Sequence, residues 1–465
     1  MKRLIFCFDG TWNKLAPDRA TNVVLTAASI ERLGHDGVPQ IIHYDEGVGT
    51  GQMDQVRGGV FGTGLMDNVR EAYRFLVFNY DVGDEIHVFG FSRGAYSART
   101  FVGFLRHVGP LQRLHVGRID EALHLYEKRT KGDEGASEDL RRFRSRYSAS
   151  VCIGGADDEW RCLNVDDYVT GAAPPMRIRY LGVWDTVGAL GIPERLPLSG
   201  WFNRKYHFHD IGVDDFVESA RHAVAIDERR VLFPVATLGD LTPLNAAAGF
   251  ADDHEDAPFQ ERWFPGTHGS VGGGGDVQGL SDEALLWILA GAKHAGLRLD
   301  TAHGTRLHGL RPDPLAPLVN ETKPERSATA AWTTDRAGPD HLWQVSESAR
   351  RRWRTPAAKL GGKAYRPATL SKVATALEAL GKWEFTPPTD LIAVEIVKPG
   401  DFLGRYAQRH YGDGELWRPI HAANLDTISD PNEIVPGREV RIPRLDPMPA
   451  SAPVMAAGAP GKGGP

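Results

Sequence analysis

Three residue types in this 465-residue chain stand where acyl-transfer chemistry would need them: a serine, an aspartate and a histidine, in that chain order. The serine is Ser92, at the centre of Gly90-Phe91-Ser92-Arg93-Gly94. This GxSxG run follows the apolar stretch Ile86-His87-Val88-Phe89 and precedes Ala95-Tyr96-Ser97-Ala98-Arg99-Thr100-Phe101, which can continue as a helix. Strand, sharp turn and helix are the setting of a nucleophile elbow. There the serine is held in a strained conformation, and the two glycines let strand and helix pass closely. The helix N-terminus offers N–H groups to a developing oxyanion. The bland alternative is an ordinary strand-to-helix turn. A serine hydroxyl is a weak nucleophile at neutral pH and needs a base that is itself held by an acid. Asp185 falls at the C-terminal edge of an apolar run and leads into Thr186-Val187-Gly188. His268 lies in the turn-rich Trp263-Phe264-Pro265-Gly266-Thr267-His268-Gly269. With 17 histidines to choose from, these readings stay open: Asp185 also reads as a helix cap and His268 as a loop histidine, and Asp210 and Asp240 are the next acids to consider.

The elements that must position these groups alternate in type. Leu4 to Phe8 reads as a short buried strand stopped by Asp9-Gly10, and Val38 to Tyr44, Glu85 to Phe89 and Arg177 to Trp184 read as further strands. Helical spacing marks Leu65 to Tyr80, Arg93 to Val108 and Glu283 to Ala295. Strands alternating with helices predict an α/β fold with a mostly parallel sheet covered on both faces. The charge-rich stretch Arg129 to Arg146 reads as an exposed helical excursion. Leu190, Ile192, Leu196, Leu198, Trp201 and Phe202 follow the aspartate and read either as a lid or membrane-facing surface or as ordinary core. Gly58, Gly59, Gly62 and Gly64 do not form a GxGxxG turn after a strand, so a nucleotide site is rejected.

Composition bounds the rest. A hydrophobic fraction of 42% and a charged fraction of 25% are globular values and exclude a disordered or fibrous chain. Lys plus Arg number 54 against 60 Asp plus Glu, a net charge of −6, so nucleic acid is not the expected partner. Cys7, Cys152 and Cys162 cannot make a disulfide framework, and no Cys/His cluster has zinc spacing, so neither metal nor cofactor is expected. The five apolar residues Leu4 to Phe8 are too few for a secretory signal. Synthesis in the cytoplasm is expected, with any export left to a machine that reads no cleaved signal.

The N-terminal 380 residues or so resemble the DUF2235 family, the Tle1-like catalytic domain of type VI secretion phospholipase effectors. The motifs, in order, are Phe8-Asp9-Gly10-Thr11-Trp12-Asn13, Thr21-Asn22-Val23, Tyr44-Asp45-Glu46-Gly47-Val48-Gly49-Thr50, the serine run extended to Arg99, and Gly182-Val183-Trp184-Asp185-Thr186-Val187-Gly188. Asp227-Glu228-Arg229-Arg230 and Trp263 to His268, running on into Val271-Gly272-Gly273-Gly274, complete them. Gly269-Ser270 stands where the family often has Ser-Asp. The resemblance implies an α/β-hydrolase with Ser92 as nucleophile, Asp185 as acid and His268 as base, acting on lipid carboxyl esters as a phospholipase A. One oxyanion N–H would come from Arg93 and a second from Gly10 or Thr11. It also implies a lipid or ester substrate, a membrane surface, and an immunity or secretion-apparatus protein as partners, with export to a target-cell envelope. Asp9 itself reads as a turn-holding carboxylate.

The last stretch of the chain resembles a LysM domain, a βααβ module that binds N-acetylglucosamine-containing glycans such as peptidoglycan. Its matching residues are Val397-Lys398-Pro399-Gly400-Asp401, Ala407, Tyr411-Gly412-Asp413, Leu416-Trp417, Ile420, Ala423-Asn424, Asp430-Pro431-Asn432, Ile434-Val435-Pro436-Gly437 and Val440 to Pro443. Phe402 stands where the family usually carries Thr. Trp417, Ile420 and Leu425 are the expected core of this unit. The expected organisation is a catalytic domain over 1–380, a linker at 381–391, the LysM-like unit at 392–445 and a disordered tail at 446–465. Two other readings are an esterase on a non-lipid ester, and a LysM adaptor whose hydrolase domain is only a scaffold.

Overall fold

Alternation along the first strand decides the layering. Between Arg3 and Phe8, Leu4, Phe6 and Phe8 enter one apolar cluster while Ile5 and Cys7 enter another, and all five are buried. A strand buried on both faces needs cover on both, which parallel sheets obtain from crossover helices. In the computed structural model the chain divides into two units, Met1–Trp383 and Glu384–Pro465. The structure describes residues 1–10, 20–47, 60–130, 134–188, 212–231, 233–300, 309–320, 333–381, 388–424 and 434–445, with single positions between them. The expected lid segment, Thr11, Asp210, Leu425 and the tail at 446–465 lie outside the described residues.

The first unit holds a six-stranded sheet: β1 (Arg3–Phe8), β2 (Gln40–Asp45), β3 (Glu85–Phe91), β4 (Tyr180–Trp184), β5 (Ala220–Ala225) and β6 (Phe259–Phe264). Spatial order is β2-β1-β3-β4-β5-β6, with every pair parallel. The α/β reading therefore stands. Helices α1 (Asn22–Ala28), α2 (Val60–Asn79), α3 (Arg93–Val108), α4 (Ile119–Thr130), α5 (Glu134–Tyr147) and α6 (Gly155–Asn164) come in the first part of the chain. The cluster under Leu4, Phe6 and Phe8 draws on α2, α3, α4 and α5, whereas the opposite one draws on α1 and the helix Gly279–His294. A third cluster packs Val345, Trp353, Tyr365, Leu370 and Leu377 against Val224 of β5 and Trp263 of β6.

Two features correct the patterning. Of the stretch Arg129 to Arg146, the described residues close α4 and form most of α5, but α5 is not a solvated excursion. Leu140, Phe143 and Tyr147 are buried in the core, and Arg144 is buried with its guanidinium paired to Asp157. Strands β5 and β6 were not expected, because Arg221, His222, Gln260, Glu261 and Arg262 break the apolar run. Several of their polar groups find partners inside: Gln260 Nε2 donates to the carbonyls of Glu255 (2.7 Å) and Ala257 (2.8 Å), and His222 pairs with Glu261.

The chain leaves β1 to β2 on one side and to β3 on the other, so the C-terminal ends of β1 and β3 border a topological switch point, where open α/β sheets form crevices. There the start of α3 is pressed onto the end of β1. A Cβ at Gly94 would stand 2.3 Å from the carbonyl oxygens of both Phe8 and Asp9.

The second unit runs β7 (Leu391–Ile396), a helix Leu403–Tyr411, a helix Trp417–Ala422 and β8 (Glu439–Pro443), with β7 and β8 antiparallel. Its core holds Val397, Leu403, Tyr406, Trp417, Ile420, Val440 and Ile442. Fully buried Asn424 ties the second helix to β8, donating to the Ile420 (2.7 Å) and Arg441 (2.8 Å) carbonyls and accepting from the Arg441 N–H (2.9 Å).

Gly94→Ala forces the backbone of β1 and α3 apart, because the obstruction is main chain and cannot rotate away. The expected outcome is a loss of roughly 2 kcal/mol or more, read as a fall in the first unit's thermal midpoint. An unchanged midpoint would show that the elbow does not need the close approach.

Candidate active site

Ser92 sits between β3 and α3 with φ 60° and ψ −126°, a conformation L-residues rarely adopt and one that persists only when its surroundings enforce it. The enforcement is visible: the Ser92 N–H donates to the Trp184 carbonyl at 3.1 Å, and its neighbour Gly90 lies where a Cβ would meet the Ala95 Cα at 2.7 Å. Asp185 follows β4 directly, also at positive φ (36°), and is wholly buried. His268 opens a short helical turn after β6. A Cβ at Gly272, in the same turn, would stand 2.0 Å from the Phe91 ring, so glycine lets this turn lie against the elbow strand.

These three sequence-predicted residues, 83 and 176 positions from the histidine along the chain, are brought together. His268 Nε2 is 2.8 Å from Ser92 Oγ, and His268 Nδ1 is 2.6 Å from Asp185 Oδ2. An ionised carboxylate only accepts, so Nδ1 carries the proton and Nε2 is left to accept from the serine hydroxyl. The imidazole is held between Phe91, with ring centroids 4.6 Å apart, and Phe233, at 4.9 Å. Its backbone N–H donates to Glu228 Oε2 at 3.2 Å.

Burial pushes the Asp185 carboxyl up, but the Arg336 guanidinium and the His268 hydrogen bond outweigh it and hold the group well below the usual carboxylate range. Arg336 Nη1 donates to Oδ1 at 2.6 Å and Nη2 to Oδ2 at 3.0 Å, and the Ala225 N–H adds a bond to Oδ1 at 2.9 Å. Neither Arg336 nor the supporting role of Glu228 was anticipated. Glu228 belonged to an acidic-basic run with no assigned task, and Arg336 sits in a stretch without any pattern. Behind Asp185, buried His222 accepts the Thr186 N–H at 3.1 Å through Nε2 and faces Glu261 Oε2 at 2.9 Å through Nδ1. Glu261 fixes that tautomer and thereby the strained turn.

The expected oxyanion donors divide. Arg93 is the first residue of α3 and follows Ser92 directly. The Gly10 N–H donates to Asp9 Oδ1 at 2.6 Å, so it is already engaged. Asp9 is a turn-holding carboxylate, as its residue type suggested: Oδ2 also accepts from the hydroxyls of Thr21 (2.7 Å) and Tyr44 (2.8 Å). The alternative acid Asp240 is exposed and caps Thr242 N–H at 3.1 Å.

The class of protein that this fold defines is α/β, with a serine-bearing strand-to-helix elbow at the sheet's switch point. Within it, the chain belongs to the family described as "T6SS, Phospholipase effector Tle1-like, catalytic domain", whose model it matches over residues 2–291. That is a hydrolase family, associated with type VI secretion. The chain is also similar to the Saccharomyces cerevisiae protein described as uncharacterized protein YEL023C, at 28% identity over 248 residues, covering 50% of this chain and 32% of that protein. It thus spans about a third of the length of that relative. Among solved structures, an uncharacterized protein from Pseudomonas aeruginosa aligns at TM-score 0.38 and 18% identity, over 64% of this chain and 46% of that one. A Tle1 effector bound to the VgrG spike of the type 6 secretion system aligns at TM-score 0.30 and 17% identity, over 58% and 50%. Among the described residues no helix is long and apolar enough to cross a membrane.

Asp185→Asn removes the charge opposite a buried guanidinium. Breaking such a pair costs about 3–5 kcal/mol, so this variant is expected to unfold well below the wild type at pH 7 in a thermal melt. An equal midpoint would mean that Arg336 finds another counter-charge.

Proposed function

We propose that the chain is a serine hydrolase that cleaves carboxyl esters of phospholipids through an acyl-enzyme, as an effector exported by a type VI secretion system. The observation that carries this reading is the unbroken hydrogen-bonded line from Ser92 Oγ through His268 to Asp185, at 2.8 and 2.6 Å. In the proposed sequence His268 Nε2 takes the hydroxyl proton as Ser92 Oγ bonds to the ester carbonyl carbon. The tetrahedral oxyanion is held by the Arg93 N–H, with Gly10 or Thr11 as the second donor, the Gly10 N–H being shared with Asp9. The imidazolium then protonates the leaving alkoxide, the C–O bond to the lysolipid breaks, and the acyl group stays on Ser92. Water, deprotonated by His268, bonds to the acyl carbonyl carbon; the bond to Ser92 Oγ then breaks, the imidazolium returns its proton to Oγ, and the fatty acid leaves. Asp185 stays ionised throughout and steadies the imidazolium.

Family membership supports the lipid substrate and the secretion route, and with that route a secretion-apparatus partner. For the second unit we propose a LysM-like, glycan-binding role, because its β-helix-helix-β order and its Asp401, Tyr411, Asn424 and Pro-Gly turns agree with that module. The corresponding division is hydrolase over 1–380, linker 381–391, LysM-like unit 392–445 and tail 446–465.

Ser92→Ala and His268→Ala are each expected to reduce fatty-acid release from mixed phospholipid vesicles by roughly 10⁴-fold or more. Serine-dependent cleavage of a short p-nitrophenyl ester with no vesicle hydrolysis would favour a non-lipid ester; serine-independent release would overturn the mechanism. The full chain should also sediment with insoluble peptidoglycan, and a chain ending at residue 383 should not. Equal sedimentation of the two would remove the glycan role.

A further inference from the structure

The line from Ser92 to Asp185 does not end on a carboxylate held by neutral donors alone, but on an ion pair. Arg336 reaches both oxygens of Asp185, and the same guanidinium donates to the carbonyls of Ala225 (2.9 Å) and Phe233 (3.0 Å). Its side chain is 5% exposed and that of Asp185 0%, so the pair is screened little by water. The stretch that delivers it is fastened at several points. Thr333 bridges Arg230, the Thr334 N–H donates to the Arg229 carbonyl at 2.8 Å, and Arg229 pairs with Asp335 at 2.8 Å. Further on, Tyr365 donates to Asp227 Oδ2 at 2.8 Å, and the same oxygen accepts the N–H of Gly266, two residues before the histidine. All these later residues lie beyond position 291, where the family match ends.

A buried Asp–His pair with no compensating cation favours the imidazolium, because the bare carboxylate attracts a proton onto the ring. A protonated histidine cannot take the serine proton. Other charged groups surround His268. Glu228, at its backbone N–H, is bound by Arg230 at 2.7 Å, and Arg230 stacks over Phe233 at 3.8 Å. Arg93 lies on the helix that starts at the nucleophile, and the His222–Glu261 pair stands behind Thr186. Arg336 is the cation on the acid itself.

We propose that Arg336 is a positioning residue of this site: its guanidinium fixes Asp185 by both oxygens and offsets its charge, so that His268 is kept as a neutral base, and the chain beyond residue 291 is thereby part of the active site. The inference rests on the serine-hydrolase reading above.

The test compares full-length wild type, Arg336→Met, Arg336→Lys and Ser92→Ala on a short p-nitrophenyl ester from pH 5 to pH 10, with rates normalised to folded protein. Arg336→Met is expected to move the acid limb of kcat/KM up by about one pH unit, with roughly a tenfold loss at pH 7 that is largely regained at high pH. Arg336→Lys, which keeps the charge but not the fork, should leave the limb in place and lower kcat several-fold. A limb unmoved in the Met variant while its activity still depends on Ser92 overturns this inference alone. A limb displaced equally by Lys overturns the charge role. Should the Met variant not fold, the Lys variant decides: wild-type kcat would show that the fork is not used, and a lowered kcat at an unmoved limb supports it. Activity surviving in Ser92→Ala would sink the triad reading and this inference with it.

Discussion

Everything at this site depends on keeping one carboxylate ionised where no water reaches it. Asp185 is fully buried, and burial alone would neutralise it. Four donors prevent that: two from Arg336, one from Ala225 and one from His268. They come from the end of β5, from the turn after β6 and from a stretch 151 positions beyond Asp185 along the chain. The sheet edge, the histidine turn and the C-terminal part of the first unit must therefore be in place together. The three apolar clusters do that work on either face of the sheet and along β5 and β6.

Ser92 faces a second constraint, which is steric. Ser92 can hold φ 60° only because the carbonyl ends of β1 and β3 are brought against the start of α3, and that approach needs glycine at 90 and 94. The same crowding brings Asp9, with its own ring of donors, beside the elbow at the switch point of the sheet. Strain at Ser92 and Asp185 is thus carried by a rigid frame rather than by the loops above it.

How much of this could be read beforehand follows the kind of signal each residue leaves. Ser92 was legible because a local pattern, strand-GxSxG-helix, encodes its geometry. Asp185 and His268 had only positions at element ends, so residue type left them open until family resemblance chose among the histidines. β1 and β3 showed as apolar runs, whereas β5 and β6 did not, since they carry polar residues inward, some of them paired only by the fold, as His222 is with Glu261. Likewise α5 read as a solvated helix because its charges outnumber the Leu140, Phe143 and Tyr147 that it buries. Arg336 left no trace at all: a single arginine in an irregular stretch gains meaning only when the fold brings it 2.6 Å from Asp185.

The most direct measurement is covalent. Full-length protein treated with a fluorophosphonate and digested for peptide mass mapping should carry one adduct, on Ser92, and phospholipid vesicles added beforehand should slow its formation. Phosphonylation requires a serine already activated by its base, so an unmodified Ser92, or an adduct at another residue, would contradict the assignment of nucleophile and base.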